Sequence, residues 1–221
     1  MINNLCKFSN ILKTIDFMRF SFYLILVLFF ISCGSEKSVT IGIQPFGDID
    51  KKYISLVKEG LDSIYRFKIV VLNNIDLPES TFTTVKSPRY RADKLIKYLK
   101  ETKSDSVQYV IGLTGKDIST TKKDSQGKPK KPESKYSDWG IFGLGYRPGP
   151  SCIVSTFRLN HSNKTIFYDR IKKVAAHEIG HNLGLKHCTS GMNCLMKDAV
   201  ESIKTVDDEI FDLCSSCRSK I

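Results

Sequence analysis

Between residues 39 and 160 the apolar positions follow two alternating patterns. Some form short continuous runs; others recur every three or four residues. Val39-Thr40-Ile41-Gly42-Ile43 is a continuous run halted by Pro45 and Gly47, which predicts a buried strand. Residues 48–66 place Ile54, Val57, Leu61 and Ile64 on one helical face. The β-branched run 67–72 predicts a second strand. Ser87-Pro88 offers a helix start with proline at the first helical position, and Ala92, Leu95, Ile96 and Leu99 form the inner face of that helix. Further strands are expected at 107–113, 139–146 and 152–159. Helices alternating with unbroken apolar strands indicate an α/β single domain built on a twisted, mostly parallel or mixed sheet. Residues 119–138 are rich in Lys, Ser, Pro and Gly, carry no apolar period and read as a mobile surface loop.

The N-terminus carries a different signal. Behind Met18-Arg19 lies an apolar run at residues 20–31, shorter than the roughly 17–25 residues that a spanning helix requires. It has the length of a signal-peptide core, with Arg19 as its positive flank. The run ends at Ser32-Cys33-Gly34, which resembles the lipobox of bacterial lipoproteins. That resemblance implies lipidation of Cys33 and an exported protein anchored to a membrane, on its periplasmic or cell-surface side. An uncleaved anchor and an ordinary cleaved signal are the alternatives. Residues 1–33 are assigned to this signal, with Met18 as the true start, residues 34–38 to a tether and residues 39–221 to the domain.

Composition narrows the class without naming the chemistry. With 221 residues, 41% hydrophobic and 26% charged, the chain is neither fibrous nor wholly disordered. Its net charge of +11 permits contact with nucleic acid or anionic lipid. No aromatic residues interleave with Lys122, Lys123, Lys128, Lys130 and Lys131, so this basic cluster reads as a solvated loop and no nucleic-acid partner is expected.

The chemistry concentrates at residues 177–188. His177 and His181, four apart, face the same side of a helix and can reach one metal ion. Glu178 stands beside the first, where it can accept a proton from a metal-bound water. Gly184 lets the helix end through a left-handed turn, after which His187 returns as a third ligand. Three imidazole nitrogens with one open position are a catalytic arrangement for zinc. His161 lies outside this group. Of seven cysteines, Cys188, Cys194, Cys214 and Cys217 form two clusters that could close a tetrahedral structural zinc site; disulfides are the competing reading in an oxidising compartment. Cys152 sits in an apolar strand with no evident partner.

The run His177-Glu178-x-x-His181-x-x-Gly184-x-x-His187-Cys188, then Cys194-Leu195-Met196, then Cys214-x-x-Cys217, resembles the archaemetzincins, a metzincin-like family of zinc metallopeptidases. Ile41-Gly42-Ile43-Gln44-Pro45-Phe46-Gly47, Asp76-Leu77-Pro78, Arg89-Tyr90-Arg91 and Ser155-Thr156-Phe157-Arg158-Leu159 are similar to further blocks of that family, so the likeness covers residues 39–217. It implies a metzincin-like domain with an active-site helix and a small zinc-bound segment at 188–217. It implies two zinc ions per chain: a catalytic one held by His177, His181 and His187, with Glu178 as general base, and a structural one held by Cys188, Cys194, Cys214 and Cys217. Met196 would be the Met-turn residue beneath the histidines. Five residues separate Cys188 from Cys194, one more than the family spacing, which lengthens the connecting loop. The expected reaction is peptide-bond hydrolysis on a peptide or protein substrate by a monomer. The rival reading is a non-catalytic, membrane-anchored binding or scaffold protein stabilised by two zinc ions.

Overall fold

Parallel strands joined by helices need apolar cover on both faces, and the chain supplies it. The structure is a computed structural model that describes residues 39–197 and 202–221. The signal segment with Cys33, and the tether, lie outside the described residues. Strands β1 (Thr40–Phe46), β2 (Lys68–Val71), β5 (Tyr109–Thr114), β8 (Gly143–Gly145) and β9 (Ser151–Ser155) form a five-stranded sheet in the order β2-β1-β5-β9-β8. The first four in that order are parallel, and β8 closes the edge antiparallel to β9.

Successive side chains of these strands serve opposite faces. Ile41, Ile43, Ile111, Leu113, Cys152 and Val154 meet α1 (Lys51–Tyr65) and α4 (Lys164–Asn182) on one side, whereas Phe46, Val110 and Ile153 meet α2 (Ala92–Thr102) on the other. Asp50 caps α1 by accepting from the Lys52 N–H at 2.8 Å, and Asn163 caps α4 by accepting from Thr165. Among the described residues no helix is long and apolar enough to cross a membrane.

Several boundaries depart from the sequence expectation. The second helix begins at Ala92, not at Pro88, because residues 89–91 form strand β4 (Arg89–Arg91). The Tyr90 N–H donates to the Asp117 carbonyl, and Arg89 lies within 3.4 Å of the Asp117 carboxylate. These tertiary partners outweigh the local helix-start signal. The inner face of Ala92, Leu95, Ile96 and Leu99 is buried as expected.

Residues 139–146 are two short strands rather than one. Strand β7 (Trp139–Ile141) joins a second, four-stranded sheet of order β3-β4-β6-β7, with β3 (Phe82–Thr83) and β6 (Ile118–Thr120), while β8 belongs to the first sheet. The last expected strand stops at Ser155 and passes into a 3-10 turn at Phe157–Leu159.

The segment 119–138 carries more order than a loop. It contains a bridge between Lys123 and Pro129, the short helix α3 (Glu133–Tyr136) and the buried Asp138, which accepts from the Lys86 N–H. Two further short helices, α5 (Ile203–Asp208) and α6 (Ser215–Arg218), follow the motif.

Candidate metal centre and catalytic cleft

Helix α4 carries His177, Glu178 and His181, and every residue from Val174 to Asn182 is buried or nearly so. Ala175, Ala176 and Gly180 make that possible by letting the helix sit close to its neighbours. At Gly180 a Cβ would collide with the Met196 sulfur and crowd the Tyr65 hydroxyl, which itself donates to the Ala176 carbonyl at 2.6 Å. Met196 therefore packs against the turn of helix between the two histidines. The helix ends at Gly184, whose φ of 96° reverses the chain toward His187.

The histidine rings are oriented from behind. His177 Nδ1–H donates to the Leu195 carbonyl at 2.9 Å, and His181 Nδ1–H donates to the Leu185 carbonyl at 2.8 Å. A carbonyl can only accept, so each ring carries its proton on Nδ1 and turns the bare Nε2 into the site. The Nε2 atoms of His177 and His181 are 3.1 Å apart, and those of His181 and His187 are 3.2 Å apart. Bare lone pairs do not converge without a cation. Tetrahedral zinc at its usual bond length of about 2.05 Å would separate two nitrogens by about 3.3 Å, so the donor set fits that ion. Burial and the neighbouring ring of His181 hold His177 down at about 3, so it is neutral and able to ligate near neutrality.

The second cluster joins Cys188, Cys194, Cys214 and Cys217, whose sulfurs all lie within 4.8 Å of one another. All four are free thiols; the Cys188 and Cys214 sulfurs stand 3.6 Å apart, well beyond the about 2.05 Å of a disulfide. The Cys214 N–H donates to the Cys194 sulfur at 3.3 Å. Burial raises the Cys214 thiol, but the backbone N–H of Cys217 and the Ser190 hydroxyl outweigh it and bring the group down to about 6. The two clusters share a segment of chain, since Cys194 precedes the Leu195 whose carbonyl orients His177.

Both histidines of α4 and Glu178 line a cleft of about 860 Å³ between the two sheets' adjoining strands and α4. Glu178 lies against the edge strand. A Cβ on Gly143 would stand 2.8 Å from the Glu178 Cγ and Oε1, and one on Gly145 would stand 3.2 Å from Oε2. Burial by the protein alone pushes this carboxyl up to about 8. An adjacent dication would pull it back toward the ionised form.

The structure thus brings together all three histidines, Glu178 and Met196, and gathers the four cysteines separately. His161 stands apart and accepts from the Asn163 N–H. Cys152, on β9 beside β8, is fully buried and joins neither cluster. Sequence reasoning missed the glycines of β8. Their alternate spacing, Gly143-x-Gly145, is the signal of a strand stripped on one face to admit a neighbour. It also assigned no role to Arg158, Lys173 or Glu209, which line the same cleft.

Comparison with known proteins agrees with this geometry. A family model described as peptidase family M54 matches residues 37–221. The archaemetzincin of Halobacterium salinarum is 29% identical over 190 residues, covering 82% of this chain and 98% of its own. The crystal structure of archaemetzincin from Archaeoglobus fulgidus, complexed with malonate, superposes with a TM-score of 0.65 at 27% identity, covering 83% of this chain and all of that one. Archaemetzincin from Methanopyrus kandleri shares the fold, with a TM-score of 0.67 at 24% identity over 85% of this chain and 95% of that one. The chain belongs to peptidase family M54, the archaemetzincins, and is a zinc metallopeptidase.

Proposed function

We propose that this peptidase hydrolyses peptide bonds with Glu178 as general base, and that it holds two zinc ions. His177, His181 and His187 would hold the catalytic ion, and Cys188, Cys194, Cys214 and Cys217 the structural one. The observation that carries this reading is the convergence of three imidazole Nε2 atoms at 3.1 and 3.2 Å beside the buried Glu178 carboxyl in a cleft. When bound, zinc supplies Lewis acidity that polarises a carbonyl and acidifies water.

The chain's own residues do the rest. Glu178 takes the proton of the attacking water and delivers it to the departing amine nitrogen. Packing against Gly143 and Gly145 limits where its carboxylate can go. The outer edge of β8, which ends the sheet among the described residues, offers backbone donors and acceptors to an extended peptide. Leu195 and Leu185 keep the histidine rings in register through their carbonyls.

Metal content by mass spectrometry on the purified 39–221 domain tests the ion count; two zinc per chain is expected. Glu178→Gln should keep both ions and lose peptide hydrolysis. Retained hydrolysis would remove Glu178 from the mechanism, and loss of turnover also separates an enzyme from the scaffold reading, in which Glu178 has no task.

The protein further acts, in this proposal, as a monomer tethered through lipid on Cys33 and facing the periplasm or the cell exterior. The support is the apolar run at 20–31 ending in Ser32-Cys33-Gly34. Cys33→Ala should block maturation or release the protein from detergent-soluble membranes; unchanged size and partitioning would reject the anchor.

A further inference from the structure

The wall of the cleft beyond Glu178 contains a guanidinium that the hydrolytic machinery does not use. Arg158 follows β9 on the 3-10 turn at Phe157–Leu159. Its Nε and Nη2 donate to the two Asp117 oxygens at 2.6 and 2.8 Å, a bidentate pair that fixes the plane of the group. Asp117 is itself buried and shared with Arg89 at 3.4 Å. Arg89 has a second carboxylate, Asp138, at 3.8 Å, and the Arg158 guanidinium held by Asp117 lines the cleft.

The turn beneath Arg158 is equally constrained. Ser155 Oγ–H donates to the Lys116 carbonyl, and Ser155 Oγ accepts from the Phe157 N–H. Opposite, Gly140 of β7 has no side chain, and a Cβ there would collide with the Arg158 guanidinium. Strand β7 is thus cut away to admit the arginine. The same strand carries Trp139, with Lys122 Nζ 4.8 Å above its ring, so two cations flank the β7 end of the cleft.

Gly140 abuts Arg158 and Gly143 abuts Glu178 on one continuous wall. The chain bends at Phe142 between them, and both glycines line the same cleft.

We infer that Arg158, set by Asp117, is a specificity residue that binds a carboxylate of the peptide substrate to one side of the scissile bond. The inference rests on the peptidase reading above. The carboxylate can come from an Asp or Glu side chain or from the free C-terminus of a short peptide. Arg suits the task because its Nη1 remains available to a ligand while Nε and Nη2 hold Asp117.

The test uses fluorogenic peptides in matched pairs: Glu against Gln at each position flanking the cleaved bond, and free acid against amide at the C-terminus. Turnover is read on the wild type, and binding by fluorescence anisotropy on the zinc-loaded Glu178→Gln variant. The acid member of one pair should be favoured about tenfold in both readouts, as a charge-assisted hydrogen bond gives. A Glu/Gln difference identifies a side chain, and an acid/amide difference a terminus.

Arg158→Gln should bring the ratio to near unity. Arg158→Lys, which keeps the charge beside Asp117 but cannot hold two partners in a fork, should also reduce it. Turnover with no carboxylate preference, or a preference that survives both substitutions, overturns the inference while leaving the peptidase reading intact. Acid-selective binding without wild-type turnover would instead support Arg158 and refute the hydrolytic role of the site.

Discussion

Gly143→Ala offers a direct test of whether the Glu178 carboxylate works from the place the edge strand assigns it. The added methyl would lie 2.8 Å from the Glu178 Cγ and Oε1 and 3.0 Å from Cδ. Carbon atoms pack at about 3.5–4.0 Å, so the carboxylate must retreat by about 0.7–1 Å. Glu178 faces a cleft and has room to yield, which keeps the cost to folding at or below about 1–2 kcal/mol. In a domain of this size that amounts to a Tm decrease of no more than about 8 °C. Catalysis is far less tolerant: a misplacement near 1 Å can cost about 100-fold, so a 10- to 100-fold loss of kcat/KM is expected.

The assay measures kcat/KM on one peptide, zinc content and thermal unfolding together. Gly145→Ala serves as the comparison, because its methyl would stand 3.1 Å from the Glu178 carbonyl oxygen and 3.2 Å from Oε2, a milder contact than at Gly143, and should cost less activity. A folded Gly143→Ala protein with both zinc ions and wild-type kcat/KM would refute the argument. Loss of a zinc ion would instead place the disturbance at the histidines.

Three further outcomes follow from the packing. Cys214→Ser or Cys217→Ser should lose one zinc ion, expose Arg218 and Lys220 to trypsin and lower activity, because Cys194 adjoins the Leu195 carbonyl that orients His177; a wild-type proteolysis pattern would contradict this. Asp207→Asn should destabilise the domain by about 1–2 kcal/mol at pH 7, since it strips a bidentate partner from buried Arg170, discounted because Asp207 is partly exposed. Arg170 hydrogen bonds lower the Asp207 carboxyl, so its stabilisation is present above the unfolded value of about 3.9 and is lost as pH falls through the lower folded value; urea unfolding should show the full deficit at pH 7 and its decline as pH is taken below the unfolded value. Cys152→Ala should fold, keep both zinc ions and remain active, as a buried thiol outside either cluster acts as a small hydrophobe; loss of a zinc ion would expose a misassigned ligand.

What the sequence alone determined is what local spacing can encode. The four-residue step from His177 to His181 puts both rings on one helical face, and Gly184 ends the helix wherever it packs. The mostly apolar runs at β1, β5 and β9 announced buried strands, while the polar residues within them, such as Gln44 and Ser151, found partners only in the fold, the carbonyls of Asn73 and Ile96. The four cysteines could be paired as two clusters by proximity along the chain. The tertiary structure decided everything that depends on partners distant in sequence. The helix-start signal at Ser87-Pro88 lost to Asp117 and Asp138, which are more than 25 residues away and turn Arg89–Arg91 into a strand. The division of 139–146 between two sheets arises at a bend around Phe142, where neither half carries a pattern distinguishing its sheet. The position of Glu178 depends on the missing side chains of Gly143 and Gly145, and that of Arg158 on the missing side chain of Gly140. A glycine in a strand encodes absence, and only the folded neighbour shows what the absence admits.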